Sequence, residues 1–259
     1  MNVVIETILN RKSIRAYSKQ PVTEDEKQAI LQAALRSPTA GNMMLYSIID
    51  VQDQGLKDHL AITCDHQPFI AKAPLVLLFA ADYQRWFDYY RLSGVEALCQ
   101  GRGQSMRRPE EGDLLLACCD TLIAAQTAVL AAESLGIGSC YIGDILEQFE
   151  THQAMFGLPQ YVLPICLICF GYPTEKQAAR KLTPRFDPKF IIHTDRYHQL
   201  NDLELAEMFR ARSEQFAAMG ERPDGIQNLG HYAYLKKFGA DFAIEMSRSV
   251  RAMLKSWTS

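Results

Sequence analysis

Neither G-x-x-x-x-G-K-[ST] nor G-x-G-x-x-G occurs in this chain of 259 residues, so neither a P-loop nor a Rossmann cofactor site is indicated. A nicotinamide would therefore have to visit a shared pocket, having no domain of its own. The six histidines form no H-E-x-x-H or other ligand arrangement, and each is expected to be surface or structural. Ser13 and Ser139 lack a nucleophile elbow, so hydrolase chemistry has no support. Charge is not biased, with 27 basic against 30 acidic residues, so no nucleic-acid or anionic-membrane footprint is indicated. The longest greasy segment, Leu114 to Ala132, is broken by Asp120, Thr121, Gln126 and Thr127, which disfavours a membrane span. The first residues, MNVVIETILNRKS, carry an acid within their apolar run and read as a short amphipathic helix, not a signal peptide. Seven cysteines without an export signal are expected as reduced thiols in a cytoplasmic protein. Cys166 and Cys169 form a C-x-x-C inside the strand-like run PICLICF. With no second pair at metal-ligand spacing they read as core thiols, since free cysteine packs as a small hydrophobe.

What is present alternates between helical and strand patterns, with no repeat and no low-complexity tract. Helices are expected at about 3–10, from a Thr23–Glu26 capping box to Arg36, at 54–63, a short one at 66–72, at 113–135, near 146–156, 203–219 and 240–257. Strands are expected at 46–51, 75–81, 138–142 and 162–170. Residues 82–112 begin with an aromatic helical stretch containing Tyr83, Trp86, Phe87, Tyr89 and Tyr90, and end in an exposed loop. The aromatic spacing favours packing over a substrate box. The segment 113–135 is apolar almost all round and should be buried on most sides, at the centre of the domain and at a dimer seam. Gly136 followed by Ile137 fits a left-handed cap with its hydrophobic contact.

The stretch RKSIRAY, residues 11 to 17, places Arg11, Lys12, Ser13 and Arg15 within five residues. Three cations and a hydroxyl lie within roughly 15 Å even when the chain is fully extended. Arginine donates two parallel hydrogen bonds to a phosphate and lysine adds a point charge. Charge runs are more often solvated, so these residues alone leave the phosphate reading open. The loop PTAGN, residues 38 to 42, is small enough for a backbone to approach a ligand.

Helix, R-K-S-I-R, capped helix, then S-P-T-A-G-N: this order resembles the FMN-dependent nitroreductase family. Gln67 in DHQPFIAKAP, the segment AAESLGIGSCYIGD at 131–144 and TPRF ending at Phe186 strengthen the likeness. Together they look most like the oxygen-insensitive nitroreductase and flavin-reductase branch, over about residues 2 to 200. The C-terminal sixty residues resemble it only in being helical. The resemblance implies an α+β fold, a mainly antiparallel central sheet flanked by helices, and an intertwined homodimer with FMN at the interface. It implies an FMN-binding domain over 1–200 and a helical extension over 201–259.

By the same resemblance Arg11, Lys12, Ser13 and Arg15 bind the flavin phosphate and ribityl hydroxyls, with Arg185 a further cation. Thr183 stands where the branch often has lysine, and Lys181 is nearby. Thr39 and Asn42 match the loop that reaches the partner's flavin, and Gln67 a side chain bonded to the isoalloxazine edge. Tyr141, Ile142, Gly143 and Asp144 match the stretch beside the ring. Asp144 stands where glycine is common, and a charge there would oppose an anionic reduced flavin. No side-chain acid or nucleophile is required, because the cofactor supplies the chemistry. The implied activity is reduction of nitroaromatics, quinones or free flavin by NADH or NADPH in a ping-pong cycle. A flavin-storing or flavin-sensing protein without efficient turnover is the alternative, motivated by Thr183 and Asp144. A phosphate binder without flavin is a third reading. Arg107 and Arg108, or Arg222, are candidates for the 2′-phosphate of NADPH, set against the usual solvation of loop arginines. No nucleic-acid or membrane partner is expected.

Overall fold

The computed structural model describes residues 2–220 and 225–259. Its contacts divide the chain into two units, Met1–Lys181 with Glu245–Ser259, and Leu182–Ile244.

In the first unit, helix α1 (Val3–Asn10) opens on Asn2, whose side chain accepts from the Val4 amide. Helix α2 (Glu24–Leu35) starts at the expected capping box, where Thr23 and Glu26 satisfy each other's backbone amides. Strand β1 (Tyr46–Asp50), helix α3 (Gln54–Thr63), strand β2 (Leu75–Asp82), helix α4 (Gln84–Leu92) and helix α5 (Val95–Gly101) follow. Helix α6 (Glu111–Ser134), strand β3 (Gly138–Ile142), helix α7 (Phe149–Phe156), strand β4 (Val162–Gly171) and the short α8 (Glu175–Ala178) complete this part. Gly136 is left-handed at φ 77°, and the Ile137 amide bonds back to Ala132 at 2.9 Å, closing α6 as its Gly-Ile ending suggests.

The sheet runs β1-β2-β4-β3, and every neighbouring pair is antiparallel. Strand side chains alternate between faces. Leu75, Leu77 and Phe79 of β2 therefore join Cys166, Ile168 and Phe170 of β4 under α2 and α6. Val76 and Leu78 join Leu167 and Cys169 on the other face, against Leu60 and Ala61 of α3. Pro164 sits in the middle of the sheet because the register shifts between Phe79 and Ala80, so its missing N–H falls at a bulge.

One expectation fails. Residues 66–72 form successive turns, not a helix. Asp65 and His66 are left-handed at φ 55° and 51°, which breaks α-helical continuation, and the amide bonds that follow reach back only three residues. Helix α6 buries one face within its own chain, at the centre of the domain as expected. Its inner face is built from small residues, Ala117, Ala124, Ala125, Ala128 and Ala132, which let it lie close on the sheet. Its outer face leaves Leu115 68%, Leu122 46% and Ile123 39% exposed. Helix α1, which touches α6, has no buried residue and exposes Val3, Val4, Ile5, Ile8 and Leu9.

In the second unit, helix α9 (Asp202–Ala218) starts at an Asn201–Glu204 capping box, and α10 (Leu229–Ala233) starts at Asn228. Phe216 of α9 lies with its ring centre 5.3 Å from that of Tyr232. Helix α11 (Asp241–Thr258) begins in this unit and ends in the first. There its Trp257 is fully buried, edge-on to Tyr161 at 5.4 Å, and donates to the Glu110 carbonyl at 3.0 Å.

Candidate functional site

The basic run is not solvated at random; its backbone is an added rung on the sheet. Ser13 pairs in parallel with Ser139 at the β3 edge, and the Ile14 amide donates to the Ser139 carbonyl at 2.8 Å. Ile14 is 3% exposed and alternates inward, so Ser13 and Arg15 point the other way. Gly138 allows this approach, since a Cβ there would meet Ile14 Cγ1 at 2.3 Å. Gly171 does the same for Tyr17, at 2.6 Å. Gly138→Ala is expected to push the run off β3. It should lower stability by about 1–3 kcal/mol, the usual overpacking range, and weaken phosphate-ligand binding with it. Thermal melting and a ligand titration of the variant check this.

The cations of the run have distinct surroundings. Arg11 carries Nη1 buried without a hydrogen-bond partner. Its acidic neighbour Glu133 accepts instead from Ser139 Oγ at 3.2 Å, and burial pushes that carboxyl up while Arg11 and Lys12 pull it down. Lys12 Nζ donates to the carbonyls of Ala178 at 2.5 Å and Arg180 at 2.7 Å, leaving one of its three protons. The Arg180 guanidinium returns a short bond to the Ser13 carbonyl, so the arm after β4 is stitched to the run. Arg15 reaches toward Cys140, and its guanidinium lies 6.0 Å from the ring centre of Phe69, two residues from Gln67.

Gln67 and Asp144, far apart in sequence, meet. Gln67 Nε2 donates to Asp144 Oδ2 at 2.7 Å and to the Cys64 carbonyl at 2.9 Å. Behind Asp144 lies Glu147, 5% exposed, with Oε1 buried and unpartnered. Burial first, then the charges of Asp144 and Asp65, a hydrogen bond with Asp144 and the charge of Glu245 push the Glu147 carboxyl up to about 7. The unfolded chain would release this proton near 4.5. The folded state holds it more tightly, so its contribution to stability is present below about 4.5 and is lost as pH rises to about 7. Glu147→Gln is expected to flatten that part of the stability–pH curve and raise Tm at pH 8 (a working pH of about this value sits above the titration). Melting curves of both proteins across this range check it; parallel curves contradict it.

The loop 38–44 is strained and held from two helices. Gly41, Asn42 and Met44 are left-handed at φ 54°, 58° and 51°, costly for the last two. Asp120 of α6, 2% exposed, accepts a short bond from Thr39 Oγ1, and bonds from the amides of Ala40 at 3.0 Å and Leu45 at 3.2 Å. Trp86 Nε1 donates to the Met43 carbonyl at 2.7 Å, and Arg85 to the carbonyls of Met44 at 2.7 Å and Tyr46 at 2.6 Å. Trp86, Phe87 and Tyr83 pack against the core, as their spacing favours.

Tyr141, at the β3 end, donates its hydroxyl to Gln126 at 3.3 Å, and Gly143 and Asp144 open a short 3-10 turn after Ile142. Thr183 and Arg185 belong to the second unit. There they line a cavity of about 470 Å³ with Phe186, Lys189, Arg210 and Arg212, the last stacked 3.6 Å over the Phe186 ring. Arg107 is engaged by both Asp113 oxygens, at 2.6 and 2.9 Å, and so serves the start of α6. Arg222 lies outside the described residues. Cys166 and Cys169 face opposite sides of the sheet, which excludes a dithiol pair, and burial pushes the Cys166 thiol up to about 12. Among the described residues no group of acids, histidines and cysteines could hold a metal ion.

A basic run folded onto a sheet edge, with one guanidinium nitrogen buried and unpartnered, fits a ligand bearing a phosphate. The chain belongs to the nitroreductase family, whose model matches residues 8–172. It is 31% identical over 226 residues to the "FMN reductase [NAD(P)H]" of Bacillus subtilis, covering 87% of this chain and 86% of that one. It is 29% identical over 220 residues to the "Oxygen-insensitive NADPH nitroreductase" of Salmonella typhimurium, covering 85% of each. The solved structure of NfrA2 from B. megaterium superposes with a TM-score of 0.79 at 27% identity, over 99% of this chain and 98% of that one. That coverage takes in the C-terminal sixty residues, whose place in the family fold the sequence left unread.

Proposed function

We propose that this protein is an FMN-dependent NAD(P)H oxidoreductase reducing nitroaromatics, quinones or free flavin. The observation that carries this reading is the docked basic run, with Arg11 Nη1 buried and unpartnered, in a chain of this family. When bound, FMN would accept hydride from the nicotinamide and hand reducing equivalents to the next ligand in the same pocket. The chain's task is then to bind, orient and shield. Arg11, Lys12, Ser13 and Arg15 hold the phosphate end. Gln67 meets the ring edge, and Tyr141, Ile142, Gly143 and Asp144 line the stretch beside it. Thr39 and Asn42, fixed by Asp120, reach toward the flavin of a partner subunit.

The exposed large apolar side chains of α1 and α6, two helices that touch, support a homodimer, because clustered exposed apolar residues mark an interaction surface. Leu122→Glu is expected to yield monomer on size exclusion and to lose flavin in the same step; a flavin-retaining dimer contradicts this. Seven free thiols support a cytoplasmic protein. Steady-state rates with NADPH and an acceptor, each varied against the other, test the cycle. Parallel double-reciprocal lines support a shared pocket used in turn, and intersecting lines oppose it. A storage protein is favoured only if turnover fails while FMN still binds.

A further inference from the structure

Whether the Gln67 side chain turns its nitrogen or its oxygen to a ligand is decided by what its other atoms already do. Carboxamide orientation is ordinarily ambiguous, because oxygen and nitrogen have the same shape. Here two neighbours settle it. The Cys64 carbonyl oxygen and Asp144 Oδ2 are both acceptor oxygens, and both lie within hydrogen-bond distance of the same Gln67 terminal atom, at 2.9 and 2.7 Å. Only the NH₂ group can serve two acceptors. Its two protons are thus used, and a carboxamide has no others. What Gln67 can still offer is Oε1, an acceptor.

We propose that Asp144 is a positioning residue that locks Gln67 with its amide oxygen facing the flavin edge, so that the ring is read there through its imide N–H. This rests on the flavin reading above. Asp144 cannot easily be recruited elsewhere. It is held through the turn it opens, where the Glu147 amide donates to its carbonyl at 3.0 Å, and Glu147 crowds its carboxylate from behind. A glycine at 144 would leave one Gln67 proton unassigned and able to turn to the ring, with the other still held by the Cys64 carbonyl. The departure at this position therefore becomes a device for donor–acceptor selection, and its charge is spent on Gln67 instead of confronting the ring.

The test uses full-length protein stripped of flavin and titrated, by flavin fluorescence, with FMN and with N3-methyl-FMN, which lacks the imide proton. The wild type is expected to bind the methylated flavin about tenfold or more weakly, because a buried acceptor loses its donor. Asp144→Ser is expected to narrow the gap to about threefold or less, since Gln67 then has an N–H as well as its oxygen to offer the ring. Gln67→Leu, which keeps the bulk without polar atoms, should show the same narrowing if Asp144→Ser does not fold. Equal binding of the two flavins by the wild type overturns the proposal, as does an undiminished gap in either variant. Wild-type protein that takes neither flavin overturns the flavin reading itself, and the proposal with it.

Discussion

Arg11→Met is expected to weaken FMN binding by about a hundredfold while leaving the flavin-free protein as stable as the wild type or more so. Both halves follow from one atom. Arg11 Nη1 is buried with no partner, and a buried donor left unmade costs about 1–3 kcal/mol. Methionine fills similar volume without that donor, which offsets the lost attraction between Arg11 and the Glu133 carboxyl. A phosphate would meet the same nitrogen with a charge-assisted bond, worth roughly 1.5–3 kcal/mol, or about ten- to a hundredfold and more. Fluorescence titration and melting of the stripped protein separate the two effects. Loss of stability without loss of affinity would make Arg11 structural.

Asp120→Ala should be the more damaging change to the fold. It strands the Thr39 hydroxyl and the amides of Ala40 and Leu45, in a loop that already carries left-handed Asn42 and Met44. Three unmade bonds cost roughly 3 kcal/mol or more, about 6–12 °C in Tm for a chain of this size. Asp120→Asn keeps one good acceptor and should fall between. If Thr39 and Asn42 serve a flavin, affinity drops with the loop. A variant that melts like the wild type would show that Trp86 and Arg85 hold the loop unaided.

Local signals were the legible ones. The Thr23–Glu26 box, the Gly136 cap and the continuous apolar run of β2 are each written in a few adjacent residues, and the structure has them where expected. Residues 66–72 misled because apolar spacing says nothing of a left-handed pair just upstream at 65–66. Helix α6 is legible as apolar all round, but hydropathy does not distinguish the alanine face that meets the sheet from the leucine face left for another surface. The site residues matched by resemblance come in clusters that chain order hides. Asp120, Arg180 and Glu147 were missed because each acts on a residue 81, 167 or three positions away through space, and no motif marks them. A buried acid among apolar neighbours was the only hint, at Asp120, and it reads first as a break in a greasy run.

The most direct test of the central claim is an anaerobic absorbance spectrum of the flavin-loaded protein before and after adding NADPH, then NADH. Bleaching of the flavin bands by a nicotinamide, followed by their return with a nitroaromatic or quinone, is the expected result. Bands that persist with both donors would contradict an oxidoreductase and leave a flavin binder.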